Sequence, residues 1–206
     1  MTNFDEEARH WDANHLRIAR ANAVALAVRA RLPLRSSMRA LEYGSGTGLL
    51  SFALRPWLGH ITLADSSPGM LAVLAEKVAA AGATNMCPLP LDLTTDPTPA
   101  ERFQLIYTLM TLHHIADTDK ILRDFHTLLE PDGWICIADL DQEDGSFHGI
   151  EVDVHHGFDR DELSRHAAQV GFADIQFQTV FSIAKERESG TQDYPVFLMT
   201  ARRAGT

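Results

Sequence analysis

The chain has 206 residues, a formal net charge of −10, 45% apolar residues and 22% charged residues. That size and balance fit one soluble globular domain with a full core. The acidic total argues against a non-specific grip on nucleic acid or on an anionic membrane. Two cysteines, Cys87 and Cys136, are too few for a disulfide framework and are expected as core thiols in a reducing compartment. The start, Met1 to Glu7, is acidic where a signal peptide is basic and then apolar, and no apolar run approaches a membrane span. A cytoplasmic location is expected.

Residues 4–31 are rich in Ala, Leu, Arg and Val. Ala21, Val24, Ala25, Val28 and Leu32 repeat at three-to-four spacing, so one or two helices are expected before Pro33. Residues 1–36 are thus a helical cap on a single domain, 1–206. Trp11, near the start, reads either as a structural lid or as the cover of a ligand. The first strand is expected at 38–43, a helix at 47–58 and a second strand at 61–65. Ser67 then caps a helix with Pro68 at its first position, running to Gly82. Met86 to Leu91 is a third strand and Phe103 to Met110 a fourth, nearly all apolar as a central parallel strand should be. A helix from Thr118 to Leu129 precedes the turn Pro131-Asp132-Gly133 and a fifth strand, Trp134 to Leu140. The polar, His-rich stretch 141–158 is long for a simple connection and reads as a lid or substrate wall. Asp159, with Glu162 three residues on, opens a helix that Gly171 ends. Strands at 172–183 and 194–203 close the chain as an antiparallel pair, with a charged loop, 185–193, between them.

Five alternations of strand and helix before a final hairpin define an α/β fold. The expectation is a Rossmann-like, seven-stranded, mostly parallel sheet whose last strands form an antiparallel pair, with helices on both faces. Ligands in such sheets bind outside the carboxyl ends of the strands. Here those ends carry Glu42-Tyr43-Gly44-Ser45-Gly46-Thr47-Gly48, Asp65, Asp92, Thr108 to His114, and Asp139 to Asp144. The glycines suit a turn that enters φ > 0 and lets a ligand reach bare backbone. Asp65, about twenty residues on, can accept from two ribose hydroxyls. Asp92 can accept from an adenine amine, and Glu42 adds a third negative charge. Three carboxylates are a poor cradle for pyrophosphate and suit a ligand carrying ribose, adenine and a positive charge.

On these residues the chain, from about residue 38 to its end, resembles the class I S-adenosylmethionine-dependent methyltransferases, in particular the small UbiE-like branch. The pattern acidic-x-Gly-x-Gly-x-Gly is met by Glu42, Gly44, Gly46 and Gly48, with Ser45 in the loop. The resemblance implies that this loop passes the methionine part and the ribose of the cofactor. It places Asp65 and Ser66 on the ribose, Met70 against adenine, Asp92-Leu93 at the adenine edge, and Thr108-Leu109-Met110 beside the methionine moiety. The segment Leu129 to Trp134 resembles the family's turn before the fifth strand. The implied activity is methyl transfer to a small molecule, with S-adenosylhomocysteine as product.

Methyl transfer is an in-line displacement that asks the protein for positioning and exclusion of water. A general base is needed only where the acceptor must lose a proton. The candidates for that role are His113, His148 and His156. Trp11, His114, Asp139, Phe147 and His155 are candidates for contact with the acceptor. His148, His155 and His156, with Asp139 or Asp141, were weighed as a metal site, but their spacing matches no compact ligand motif and no metal is expected. Two alternatives stay open: a nicotinamide-dependent oxidoreductase, which prefers Gly-x-Gly-x-x-Gly, and a cofactor-binding module without catalysis. No nucleic-acid or membrane partner is expected, and oligomeric state is not legible.

Overall fold

The computed structural model describes residues 4–148, 154–187 and 190–205. Seven strands form one sheet in the order β3-β2-β1-β4-β5-β7-β6. They are β1 (Arg39–Tyr43), β2 (His60–Asp65), β3 (Met86–Pro90), β4 (Phe103–Leu109), β5 (Leu129–Leu140), β6 (Phe172–Arg187) and β7 (Gly190–Arg203). The first five run parallel, and β7 pairs antiparallel with both β5 and β6. This is the expected Rossmann-like sheet. The central strands β1, β4 and β5 are buried on both faces, which explains their nearly unbroken apolar runs.

Helices cover both faces. α2 (His15–Arg31), α3 (Leu49–Leu54) and α4 (Pro68–Ala80) pack Val24, Val28, Leu50, Leu54 and Leu74 on one side. α5 (Thr118–Leu128) and α6 (Arg160–Val170) pack Leu122, Phe125, Leu163 and Ala167 on the other. The caps read from sequence form: Ser67 accepts from the Met70 N–H, and Asp159 from the Glu162 N–H. Before α2, a short helix α1 (Phe4–Glu7) runs into a 3-10 turn over Ala8–Ala13.

Two expectations are corrected. The stretch 185–193 is not a loop in its described part. Lys185, Glu186 and Arg187 pair with Gln192, Thr191 and Gly190, so the hairpin continues outward. Lys185 and Arg187 turn to one face and donate to the Phe147 and Ser146 carbonyls, while Glu186 between them faces solvent. Cys87 is exposed on β3, an edge strand of the sheet, whereas Cys136 is buried as expected. Of the stretch 141–158, residues 149–153 lie outside the described residues. The flanking parts fold back on one another, with an isolated parallel bridge between Asp141 and Phe158. No helix among the described residues is long and apolar enough to cross a membrane.

Candidate active site

The glycine loop leaves β1 and is tied to β2 by the Gly44 and Ser45 N–H groups, which both donate to the Ala64 carbonyl. Gly44, Gly46 and Gly48 all take φ > 0. They differ in what surrounds them. A Cβ on Gly44 would collide with Thr111, and one on Gly48 would lie 2.6 Å from Leu74 Cδ1. At Gly46 a Cβ would meet Met70 Sδ at 3.9 Å and Trp11 Nε1 at 4.0 Å, ordinary contact distances. Gly44 and Gly48 are therefore packing glycines, and Gly46 is the least crowded of the three.

Asp65 sits behind the loop. Its Oδ2 accepts from the Gly46 N–H at 2.6 Å and its Oδ1 from the Ser67 N–H at 2.8 Å, joining the loop to the start of α4. Burial raises its carboxyl above 3.8 despite these bonds. Ser66 beside it is exposed, and Met70 is buried under Gly46. The Ser45 and Thr108 side-chain oxygens are buried without a hydrogen-bond partner. Two orphaned hydroxyls at the sheet's carboxyl end are what a site for a polar ligand leaves when described without that ligand. The open glycine, the carboxylate and these hydroxyls fit a nucleoside cofactor.

Glu42, Asp92, Leu93 and Leu109 complete the expected cofactor set. Glu42 is buried, accepts from the Ser51 hydroxyl, and is pushed up to about 8 by that burial. Burial thus disfavours the third negative charge that the sequence suggests at this position. Asp92 turns its carboxylate to the Thr94 N–H and hydroxyl, at 2.9 and 2.6 Å, opening the loop after β3. Leu93 is core, its N–H donating to Tyr43 Oη at 3.1 Å. Leu109 is partly buried against the core at the end of β4.

The amino-terminal segment closes over this loop. Trp11 lies between the Arg17 guanidinium, 3.5 Å from its ring centroid, and the edge of Phe4. Asp12 accepts from Thr47 Oγ1 at 2.5 Å and from Lys77 Nζ at 2.6 Å, and Lys77 also donates to the Thr47 carbonyl. Asp5 accepts from the Ser67 hydroxyl and the Gly69 N–H. Phe4 continues to His114, at 5.3 Å between centroids, so one segment touches both the glycine loop and the histidines. Asp5, Asp12 and Lys77 were not found by sequence reasoning, because nothing in their spacing marks them as neighbours.

The histidines meet where β4 and β5 end. Met110 takes φ 56 and donates its N–H to the Ala138 carbonyl, which breaks β4 and starts a 3-10 turn, Leu112–His114. That turn sets the rings of His113 and His114 4.1 Å apart. Asp139, fully buried at the end of β5, takes His113 Nδ1 at 2.6 Å on Oδ1 and the His113 N–H at 3.3 Å on Oδ2. Burial alone would raise the Asp139 carboxyl; His113 and the backbone N–H groups outweigh it and hold it below 3.8. His148 Nε2 lies 3.0 Å from His113 Nε2. Burial first, then the charge of His113, pulls His114 down to about 3 and His148 to about 4. Both are neutral at pH 7. Phe147 is buried against Tyr194 and edges onto His148. Arg20 of α2 has a buried, unpartnered Nε, and Asp139 is its favourable charge.

The remaining histidines are elsewhere. His155 donates its backbone N–H to the His113 carbonyl and sets Nε2 2.9 Å from the Ile115 carbonyl. It fastens the loop to the turn after β4. His156 lies over Gly145. The set His148, His155 and His156 with Asp139 or Asp141 is not brought together. Among the described residues the cluster is His113, His114 and His148. Spacing along the chain hid it, because its members come from two segments joined only by the adjacency of β4 and β5.

A mostly parallel sheet with a glycine loop after β1 and an acidic residue ending β2 is the frame of a Rossmann-like α/β protein. Residues 14–177 match the family model described as a methyltransferase domain. The chain belongs to the class I S-adenosylmethionine-dependent methyltransferase family. This displaces the nicotinamide-dependent alternative. An uncharacterized methyltransferase of Schizosaccharomyces pombe is 31% identical over 122 residues, 56% of this chain and 43% of that protein. The uncharacterized methyltransferase YcgJ of Bacillus subtilis is 25% identical over 105 residues, 51% of this chain and 42% of its own length. The chain thus matches less than half the length of these relatives. The YcgJ crystal structure shares the fold at a TM-score of 0.72 and 14% identity, over 89% of this chain and 99% of that one. So does Haemonchus contortus phosphoethanolamine N-methyltransferase 2 in complex with S-adenosyl-L-methionine. Its TM-score is 0.73 at 16% identity, over 99% of this chain and 60% of that one.

Proposed function

We propose that the chain transfers a methyl group from S-adenosylmethionine to a small-molecule acceptor held between the glycine loop and the His113–His114–His148 cluster. The observation that carries this is Gly46, left-handed and the least crowded of the loop glycines, lying between Met70 and Trp11 with Asp65 bonded to its N–H. When bound, the cofactor supplies a methyl group already activated on a sulfonium sulfur. Asp65 accepts from the ribose hydroxyls, Met70 packs against adenine, and Trp11 with Phe4 covers the cleft and keeps water out. Ser45 and Thr108 offer their unpartnered hydroxyls to the polar parts of the ligand. The imidazoles orient the acceptor. The small-molecule reading is supported by the net charge of −10, which disfavours nucleic acid.

Calorimetric titration with S-adenosylhomocysteine, with NADH as control, tests this. One-site binding of the first alone is expected, and binding of NADH alone overturns the reading. Asp65→Ala should weaken S-adenosylhomocysteine binding by about 1–3 kcal/mol, the cost of leaving buried partners unpaired. A variant that binds normally refutes the ribose contact. Turnover with small thiol, amine and phenol acceptors separates an enzyme from a module that only binds the cofactor.

A further inference from the structure

The three imidazoles make a donor set that methyl transfer does not call for. Their ligating atoms, one from each ring, all lie within 4.8 Å of one another, and two of them, His113 Nε2 and His148 Nε2, are 3.0 Å apart. Nitrogens around a tetrahedral zinc sit at about 2.0–2.1 Å from the metal, hence roughly 3.4 Å apart. The cluster is within a side-chain rotation of that spacing. His114 and His148 are only partly buried; the His114 ring makes no hydrogen bond among the described residues, and the His148 ring would exchange its contact with His113 for the ion.

The surroundings are also those of a metal ligand. Asp139 holds His113 Nδ1, which fixes a proton on that nitrogen and leaves Nε2, on the side of His148, as the atom that gives up any proton to an ion. Its second oxygen holds the His113 backbone N–H, so the ring has one position. A carboxylate behind an imidazole in this way fixes the tautomer and raises the ligand's basicity. Three neutral nitrogens with no carboxylate in the inner set disfavour magnesium and calcium and favour zinc, cobalt or nickel.

We propose that His113, His114 and His148 bind one divalent first-row transition ion, with Asp139 as its outer carboxylate and a fourth position open to the methyl acceptor. Three protein ligands and one open position are the pattern of catalytic rather than structural zinc. Neutral ligands leave the ion its full charge. An acceptor oxygen or sulfur bound there loses its proton to solvent and attacks as the anion, with no side chain serving as base. The Asp139 carboxylate balances part of the ion's charge, and Arg20 and Lys185, the cations that act on Asp139 and His148, favour an anionic acceptor in the fourth position. The ion's role toward an acceptor rests on the methyltransferase reading, but its binding does not, since imidazoles bind an ion whether or not the nucleoside is present.

The test is titration of the untagged, metal-stripped full chain with Co2+, read by visible absorption, followed by displacement with Zn2+. One equivalent with the d–d bands of a four- or five-coordinate ion is expected. His114→Ala and His148→Ala should each weaken Co2+ binding at least tenfold, and Asp139→Asn by about 10–100-fold, while S-adenosylhomocysteine binding is kept. His156→Ala should leave the ion's affinity unchanged. Absence of the bands, or equal Co2+ affinity in wild type and the His114 and His148 variants, overturns the proposal. The cluster would then be a hydrogen-bonded network of imidazoles. Retained S-adenosylhomocysteine binding in either case separates that failure from failure of the methyltransferase reading.

Discussion

Glu42 gives the sharpest test of the electrostatics. Its carboxyl lies under the glycine loop, accepting from the Ser51 hydroxyl, which is itself 2.5 Å from Tyr107 Oη. Burial is the largest cause of its rise from 4.5 to about 8; Asp65 adds to it, and Ser51 and Lys77 oppose it. The folded protein therefore binds a proton that the unfolded chain gives up between pH 4.5 and 8. Stability from this group is complete below pH 4.5 and is lost as pH rises towards 8, by at most about 1.4 kcal/mol per unit. The ceiling over the whole window is about 5 kcal/mol, and relaxation of the site reduces it. Glu42→Gln keeps the shape and removes the proton. His114 and His148, lowered to about 3 and 4, have the opposite sign and lose their unfolded-state protons near pH 6.5, so the window from 6.5 to 8 is the clean one. Denaturant unfolding of both proteins across that window should show wild type losing about 1–2 kcal/mol relative to Glu42→Gln. Parallel curves would refute a buried, protonated Glu42.

Gly48→Ala should cost roughly 1–3 kcal/mol and lower the melting temperature by several degrees, because φ is +80° and the new Cβ meets Leu74 at 2.6 Å. Unchanged thermal unfolding would show that the turn tolerates another conformation. Trp11→Ala should release S-adenosylhomocysteine about tenfold faster in stopped-flow experiments, with little change in unfolding, since it removes the cover over Gly46 and the stack on Arg17. A release rate equal to wild type would assign Trp11 to the fold alone.

Local signals in the sequence were enough to place most elements. The glycines could be read because each must sit at φ > 0, and Ser67 and Asp159 because a cap is a short-range bond. The apolar runs of β1, β4 and β5 read as central strands because both their faces are buried. Asp65 could be found at its distance from the glycines because the β1–α3–β2 path has a fixed length. The hairpin's outer half did not read as strand, because pairing across it owes more to the register set further in than to side-chain pattern.

The sequence by itself determined the sheet, the family and the place of the glycine loop at the end of β1, all of which depend on patterns contiguous along the chain. Only the tertiary structure decided the charge of Glu42 and which histidines meet. The first depends on how completely α3 and Tyr107 shut out water. The second depends on Met110 breaking β4 beside the end of β5, so that Asp139 fixes His113 while the segment after β5 returns with His148. Proton affinity and ligand assembly are properties of neighbours in space, and chain spacing does not encode them.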